Sequence, residues 1–245
     1  MAGNDSIPLN KDSALFVDFD GTLADIAPRP DAVTLPAGVV ELLARLHKQL
    51  DGALAVVSGR SIAQLDEFLT PLQLAAAGVH GAERRNASGV IGRFHEADLT
   101  HVVAGLEALA ELHPGMLVET KPGAVALHYR LAPQCEALAQ RAMDAALHES
   151  HGMALIHGKM VIEMKPAGAS KGRAIRSFMG EAPFAGRRPV FAGDDSTDES
   201  GFAVVQAAGG LGIKVGAGAT RANNRLDTPS DLRMWLQAAA DQLSS

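Results

Sequence analysis

The chain has 245 residues, 47% of them apolar, and 22 basic against 28 acidic side chains give a formal net charge of −6. A chain of this length buries roughly 70–75% of the surface that its unfolded form exposes, and its single cysteine, Cys135, excludes an intrachain disulfide. The acidic balance argues against a nucleic-acid partner, and no apolar run reaches the roughly 20 residues of a membrane span.

Short apolar runs alternate with amphipathic helical stretches in the first 87 residues. The polar stretch Met1–Asp12 lacks the basic start and apolar centre of a signal peptide, so we expect a cytoplasmic protein, and its composition favours disorder. The predicted elements that follow are a strand at 14–17, a helix at 39–50, a strand at 53–57, a helix at 61–69 and a short apolar run at 74–77. Such alternation predicts a parallel α/β sheet.

The middle of the chain has a different pattern, because the turn dipeptide Pro122-Gly123 separates two apolar runs. The predicted elements there are helices at 98–112 and 137–148 and two hairpins, 116–130 and 155–164. The last part returns to alternation, with a helix at 172–179, strands at 189–192 and 211–215, and a helix at 232–243. We therefore predict an α/β, Rossmann-like parallel-sheet core, residues 1–87 and 168–245, with a smaller inserted α+β cap domain at 88–167.

Two carboxylates stand at the end of the first predicted strand. Asp18 follows the apolar run directly, and Asp20 comes two residues later, before Gly21. Ligands bind at the carboxyl ends of strands in open α/β sheets, and glycine permits a sharp backbone departure there. An ordinary turn is the alternative, since Asp and Gly are common turn residues.

A second acidic cluster, 193–199, follows the strand predicted at 189–192. Asp194 and Asp195 stand at the strand end, whereas Asp198 and Glu199 also suit the start of a solvated helix, where acids meet the helix dipole favourably. Carboxylates from two strand ends in one cleft would be stabilised by a hard divalent cation, and Mg²⁺ is the natural candidate.

A hydroxyl group, from Ser58, and a cationic side chain, from Lys171, accompany these carboxylates in the candidate site. Ser58 follows the strand predicted at 53–57, and Lys171 precedes the helix predicted at 172–179. Either residue alone is ordinary, but carboxylates, a hydroxyl, a lysine and a metal together suit phosphoryl transfer, which needs positive charge around the phosphoryl group and a positioned nucleophile.

In chain order, these residues resemble the four motifs of the haloacid-dehalogenase superfamily of phosphatases, and more closely the trehalose-6-phosphate phosphatase family. The motifs are Asp18-x-Asp20-Gly21-Thr22, Ser58, Lys171 and Gly193-Asp194-Asp195-x-x-Asp198. The supporting strings are Val57-Ser58-Gly59-Arg60, 78–83, 127–130 and 161–166. One departure is Ser170, where relatives carry Asn before the lysine.

The resemblance implies a mechanism and a substrate. Asp18 would attack phosphorus and form an aspartyl-phosphate, and Asp20 would protonate the departing sugar oxygen and then deprotonate the hydrolytic water. Ser58 and Lys171 would bind the phosphoryl oxygens. The implied metal ligands of Mg²⁺ are Asp18, the backbone carbonyl of Asp20 and Asp194, with Asp198 close behind. The expected reaction is hydrolysis of trehalose 6-phosphate, the last step of trehalose biosynthesis, by a monomer with no nucleic-acid or membrane partner.

The cap is expected to select the sugar, because trehalose offers hydroxyls and no charge, and unpaired buried groups reject a wrong sugar. Alternation places Glu119 and Lys121 on one strand face, and His128 and Arg130 on one face of the next strand. A solvated polar sheet face is the alternative. The expected substrate-binding residues are Asp20, Gly21, Arg60, His80, Glu119, Lys121, His128, Arg130 and Glu163.

Two other functions remain open from the sequence. Another sugar phosphatase or a phosphomutase would also carry Asp18 and Asp20. A phosphosugar sensor or a phospho-accepting switch would use an aspartate at a strand end, but it would not need a second acid two residues on. Asp20 therefore favours an enzyme.

Overall fold

The computed structural model describes residues 7–27, 29, 32–94 and 98–244, which form two compact units. The core unit takes the described residues up to Gly92 and from Ser170 onward, and the inserted unit takes those from Arg93 to Ala169. The sequence placed the insert at 88–167. Among the described residues, no helix combines the length and the apolar character that a membrane crossing requires.

The secondary structure follows the alternating pattern of the sequence. The strands are β1 Ser13–Val17, β2 Leu54–Val57, β3 Ala75–Gly78, β4 Glu83–Arg85, β5 Ile91–Arg93, β6 Leu117–Lys121, β7 Ala124–His128, β8 Met153–Gly158, β9 Val161–Pro166, β10 Arg188–Gly193, β11 Leu211–Val215 and β12 Asn224–Leu226. The helices are α1 Val39–Gln49, α2 Ile62–Leu69, α3 Thr100–Leu112, α4 Glu136–His148, α5 Lys171–Met179, α6 Glu199–Ala207 and α7 Pro229–Leu243.

The core unit is built on an eight-stranded sheet in the order β12-β11-β10-β1-β2-β3-β4-β5. The strands from β12 to β3 pair in parallel, and β4 runs antiparallel to β3. The central strands are buried along their whole length, as parallel strands covered on both faces are. The Phe16 ring on β1 packs against Phe178 and Phe184, with ring centroids 5.9 and 5.4 Å apart.

The sheet register determines where the strand-end residues lie. Val17, the last residue of β1, pairs with Ala192 of β10 and Val56 of β2. Because these neighbours run in parallel, the residues that follow them emerge at the same edge of the sheet. Asp18, Ser58 and Asp194 all stand in such positions.

The N-terminal stretch, for which the sequence favours disorder, includes buried residues. Met1–Ser6 lie outside the described residues, but Ile7 and Leu9 are buried in the core. The Trp235 indole Nε1 donates a hydrogen bond of 3.0 Å to the carbonyl of Ile7. The apolar side chains within this polar stretch therefore anchor it to α7, and disorder is the wrong prediction for the described part.

The inserted unit has a four-stranded antiparallel sheet in the order β6-β7-β9-β8. Its helices cover one face, where Leu127 and Ile162 share a hydrophobic cluster with Leu106 of α3 and Met143 of α4. The other face carries the polar residues, and the register aligns Glu119 with Ala126 and Ala126 with Glu163.

Two strand boundaries in this unit differ from the prediction. β7 ends at His128, so Arg130 does not share its face with His128; the exposed Arg130 guanidinium instead donates a 2.7 Å hydrogen bond to the carbonyl of Lys159. His157 lies within β8, and the turn follows it, with Met160 at a φ of 66°. Sequence alternation did not locate either strand end, because both are determined by turn geometry.

Elements that the sequence analysis did not predict are β4, β5, β12 and α6. The strands are only three residues long, and β4 consists of Glu-Arg-Arg. Ion pairing explains why so polar a strand is buried, since the Arg85 guanidinium forms two 2.7 Å hydrogen bonds to Asp66.

Candidate active site

Asp18 is buried at the end of β1 among other charged groups. Its Oδ1 lies 2.8 Å from the Lys171 ammonium, and one carboxylate oxygen from each of Asp18, Asp194 and Asp198 lies within 4.8 Å of the others. Burial raises the pKa of Asp18 well above its usual value, and the Asp198 carboxylate raises that pKa further, although Lys171 opposes the shift. We call these three acids the carboxylate cluster.

Lys171 joins two members of this cluster. It is the first residue of α5, and its Nζ lies 2.8 Å from Oδ1 of both Asp18 and Asp198. Burial by itself lowers the pKa of Lys171, but the two carboxylates raise that pKa above its ordinary value. The ammonium is therefore charged, and these acids accept two of its three N–H donors.

The chain turn after β10 positions the other two acids. Asp198 is fully buried, and its Oδ2 accepts a 2.9 Å hydrogen bond from the backbone N–H of Asp195. Glycine is required opposite these groups: Gly21 has a φ of 75°, and a Cβ there would collide with the Asp194 carboxylate. The small residue brings the loop after β1 against the loop after β10.

The chemistry of this donor set fits a hard divalent cation. Three carboxylates converge, one of them fully buried, and the Lys171 ammonium pairs with two of them. Mg²⁺ and Ca²⁺ prefer such oxygen ligands, and a bound cation would relieve the repulsion that raises the pKa of Asp18.

Asp20 has a different environment from the carboxylate cluster. Both of its carboxylate oxygens accept hydrogen bonds from Arg60, with Nε at 2.8 Å and an Nη at 2.7 Å. The Asp20 side chain therefore pairs with Arg60 and is not part of the carboxylate cluster. The metal ligand that the resemblance implies at this position is the backbone carbonyl, and the side chain is not required for it.

The loop after β2 holds three of the sequence-predicted residues together. Ser58 is fully buried, its Oγ accepts a hydrogen bond from the backbone N–H of Arg60, and its carbonyl accepts one from His80 N–H at 2.9 Å. The His80 backbone is left-handed, with a φ of 53°, and a Cβ at Gly59 would lie 2.7 Å from its ring. Gly59 allows His80 to pack against this loop.

On the polar face of the inserted unit, four predicted residues form a second charged group. His128 Nε2 lies 2.9 Å from Glu119 Oε2, and Lys121 Nζ lies 2.5 Å from Glu163 Oε2 and 3.8 Å from Glu119 Oε2. We call Glu119, Lys121, His128 and Glu163 the glutamate cluster. Arg130 is not part of this group.

Sequence reasoning missed two buried lysines next to these clusters. Lys214 on β11 donates a hydrogen bond to the carbonyl of Asp194. Lys165 on β9 donates one to the carbonyl of Ala169, and burial lowers its pKa, with the nearby Glu163 carboxylate opposing the shift. In each case the sequence feature that could have identified the residue was a lysine within a largely apolar strand.

Comparison with known proteins identifies relatives across most of the chain. Residues 16–230 match the family described as Trehalose-phosphatase. The chain is 47% identical over 226 residues to the trehalose-6-phosphate phosphatase of Escherichia coli strain K12, which covers 91% of this chain and 85% of that protein. It is 45% identical over 205 residues to a probable trehalose-phosphate phosphatase of Sinorhizobium fredii, with 83% and 77% covered.

A solved structure supports the same assignment. The crystal structure of a trehalose-6-phosphate phosphatase related protein superposes with a TM-score of 0.76 at 29% identity and covers 93% of this chain and 97% of that one. The parallel-sheet core and the inserted unit are therefore features shared with that protein.

Proposed function

The chain belongs to the trehalose-phosphatase family, and we propose that it hydrolyses trehalose 6-phosphate to trehalose and inorganic phosphate, the last step of trehalose biosynthesis. The observation that carries this proposal is the buried Asp18 at the end of β1, beside the Lys171 ammonium and two further carboxylates. Such a group suits attack on a phosphate ester.

In the first step, an Asp18 carboxylate oxygen forms a bond to phosphorus while the bond from phosphorus to the sugar oxygen breaks. The Lys171 ammonium, 2.8 Å from Asp18, has a third N–H donor for a phosphoryl oxygen. Asp20, which must carry a proton when the substrate binds, gives that proton to the departing sugar oxygen, because an alkoxide is a poor leaving group.

In the second step, water attacks the aspartyl-phosphate and Asp20 takes a proton from that water. The bond between phosphorus and Asp18 breaks, which releases inorganic phosphate and regenerates the carboxylate. Ser58 is proposed to bind the phosphoryl oxygens with Lys171, and Gly21 and His80 to contact the substrate.

We propose Mg²⁺ as the cofactor, held by Asp18, Asp194 and the backbone carbonyl of Asp20, with Asp198 close behind. The supporting observation is the convergence of three acids, two of which share the Lys171 ammonium. When bound, the ion would neutralise phosphoryl charge and the mutual repulsion of the acids.

Glu119, Lys121, His128 and Glu163 are proposed to recognise the trehalose hydroxyls. Their hydrogen bonds hold acceptors and donors in place before the sugar binds, and preorganised partners reduce the entropy lost on binding. The role that the resemblance implies for Arg130 stays a prediction, although its place on the strand was wrong.

The test is a phosphate-release assay on trehalose 6-phosphate and a panel of other sugar phosphates, with EDTA-treated protein before and after Mg²⁺ is added. We expect phosphate only with the metal, and fastest from trehalose 6-phosphate. Transfer of phosphate between sugar positions without release would identify a phosphomutase, and binding without turnover would identify a sensor. Full turnover in excess EDTA would contradict the metal assignment.

We also expect a monomer in the cytoplasm. A phosphorylated sugar is charged and does not cross a membrane unaided, so the enzyme must share the compartment in which its substrate forms. The molar mass measured by light scattering during size-exclusion chromatography tests whether the protein is a monomer. Fractionation of cells tests the compartment.

A further inference from the structure

Arg60 is fixed in place more firmly than a surface arginine. Its side chain is only 9% exposed, and its guanidinium carbon lies 5.5 Å from the Phe19 ring centroid and 4.8 Å from that of Phe68. Both distances are in the range of cation–π attraction. The backbone N–H of Arg60 also donates to Ser58 Oγ at 3.1 Å, which fixes the start of the side chain.

This fixed guanidinium pairs with Asp20, which in the proposed mechanism must exchange a proton while lying at a defined position. Arg60 makes a two-point hydrogen-bonded pair with Asp20, whose side chain is 39% exposed. A planar guanidinium that donates two parallel hydrogen bonds restricts the orientation of the carboxylate. The buried partner therefore sets the orientation of the more exposed one.

We infer that Arg60 is a positioning residue for Asp20 and not a ligand of the sugar or phosphate, the role that the resemblance implied. The inference rests on the proposed function, in which Asp20 transfers the proton. Two of the guanidinium nitrogens donate to Asp20 and aromatic rings flank the group, so Arg60 holds the ionised carboxylate, the form that takes a proton from water in the second step. Proton transfer is sensitive to such placement, since a misplacement of about 1 Å costs on the order of 10²-fold in rate.

The experiment compares Arg60→Met and Arg60→Lys with the wild-type protein on two substrates. With trehalose 6-phosphate, whose leaving oxygen needs a proton, we expect kcat to fall by roughly 10²-fold in Arg60→Met, with KM within about twofold. With p-nitrophenyl phosphate, whose leaving group needs none, the first-turnover burst of nitrophenolate should remain and the later steady rate should fall. Aspartyl-phosphate should then accumulate and be visible by intact mass after acid quench.

A matched control is available within the same unit. Arg85 forms a similar two-point pair with Asp66, its side chain is 6% exposed, and it lies outside the proposed machinery. Arg85→Met removes a comparable ion pair, so its melting temperature should fall about as far as that of Arg60→Met while its burst and steady rates keep the wild-type ratio. If Arg60→Met does not fold, Arg60→Lys, which keeps the charge without the fork, provides the same comparison.

A double variant separates positioning from binding. In an Asp20→Asn background, Arg60→Met should cause no further loss of kcat, because there is no proton-transferring acid left to position. A raised KM for trehalose 6-phosphate with kcat unchanged would show a substrate ligand and overturn the inference. Additive losses, or a lost burst with p-nitrophenyl phosphate, would overturn it as well. Failure of the wild-type protein to release phosphate from trehalose 6-phosphate would instead reject the proposed function, and the nitrophenyl experiment would still test Arg60.

Discussion

The carboxylate cluster of the core unit and the glutamate cluster of the inserted unit are both groups of poorly exposed charges, but their charge balance differs. The carboxylates of Asp18, Asp194 and Asp198 converge, the Lys171 ammonium pairs with the first and the last, and burial with like charge raises the pKa of Asp18. In the inserted unit, Glu119 and Glu163 are each matched with a lysine or a histidine. The acids of the first cluster therefore outnumber the lysine that pairs with two of them, whereas each glutamate of the second faces a lysine or a histidine.

This difference corresponds to two kinds of chemistry. A group with excess negative charge attracts a metal and, through it, a phosphate. A group whose acids are hydrogen-bonded to basic side chains presents fixed donors and acceptors to an uncharged sugar. We therefore propose that the reaction belongs to one cluster and the selectivity to the other, and the predictions below test that division.

The largest effect is expected from the nucleophile. Asp18→Asn keeps the shape of the side chain but cannot form an acyl-phosphate, so phosphate release should fall by about 10⁴-fold or more. Intact mass after acid quench should show no phosphoenzyme. Asp195→Asn is the matched control, because this acid is outside the carboxylate cluster and its amide still caps the following turn. Near-normal turnover of Asp18→Asn would reopen the sensor and phosphomutase alternatives.

The charge balance of the two clusters is compared by removing one lysine from each. Lys171→Met removes the ammonium that pairs with Asp18 and Asp198, and breaking a buried pair costs about 3–5 kcal/mol of unfolding free energy. Lys121→Met should cost about 1–3 kcal/mol, because Glu119 keeps its contact with His128.

Urea denaturation with and without Mg²⁺ measures both variants. Added Mg²⁺ should recover part of the stability lost in Lys171→Met, since a ligand that binds only the folded state stabilises it. It should recover none of the loss in Lys121→Met. Equal losses, or equal responses to the metal, would contradict the distinction between the clusters.

The selectivity of the inserted unit is tested at Glu163, one of its most buried acids. Glu163→Gln should lower kcat/KM for trehalose 6-phosphate by about 10- to 100-fold, the equivalent of about 1–3 kcal/mol for an unpaired buried group. Turnover of p-nitrophenyl phosphate should change little, and Glu149→Gln, on an exposed position, is the control. A parallel fall with both substrates would mean that Glu163 supports the fold or the core site.

The smallest effect concerns Lys165, at the end of the polar face. Burial lowers its pKa from the usual value near 10.5, so the folded protein holds this proton less tightly than the unfolded chain. The destabilisation is present at neutral pH and is relieved as pH rises from the folded pKa toward 10.5. Lys165→Met should remove that part of the alkaline pH dependence of unfolding, and the exposed Lys159→Met should not. If the free energy of unfolding depends on pH identically in the wild type and in Lys165→Met, the lowered pKa of Lys165 does not contribute to stability.

Much of the core fold is predictable from local sequence. The helix predicted at 39–50 is α1 at Val39–Gln49, and the strand predicted at 211–215 is β11. Apolar runs and helical periodicity report burial directly in such elements. β4 was missed because its buried charged residues, Glu83 and Arg85, pair with the Ile62 N–H and with Asp66, which are distant in sequence.

The sequence by itself determined which candidate site residues lie near one another, because Asp18, Ser58 and Asp194 directly follow apolar strands whose parallel pairing brings their ends to one edge. Only the tertiary structure decided their partners. Arg60 lies 40 residues from Asp20, and Lys121 lies 42 residues from Glu163. Pairs of this kind depend on strand register, on side-chain rotamers and on packing such as that of Phe68 on Arg60, and none of these leaves a local pattern in the sequence.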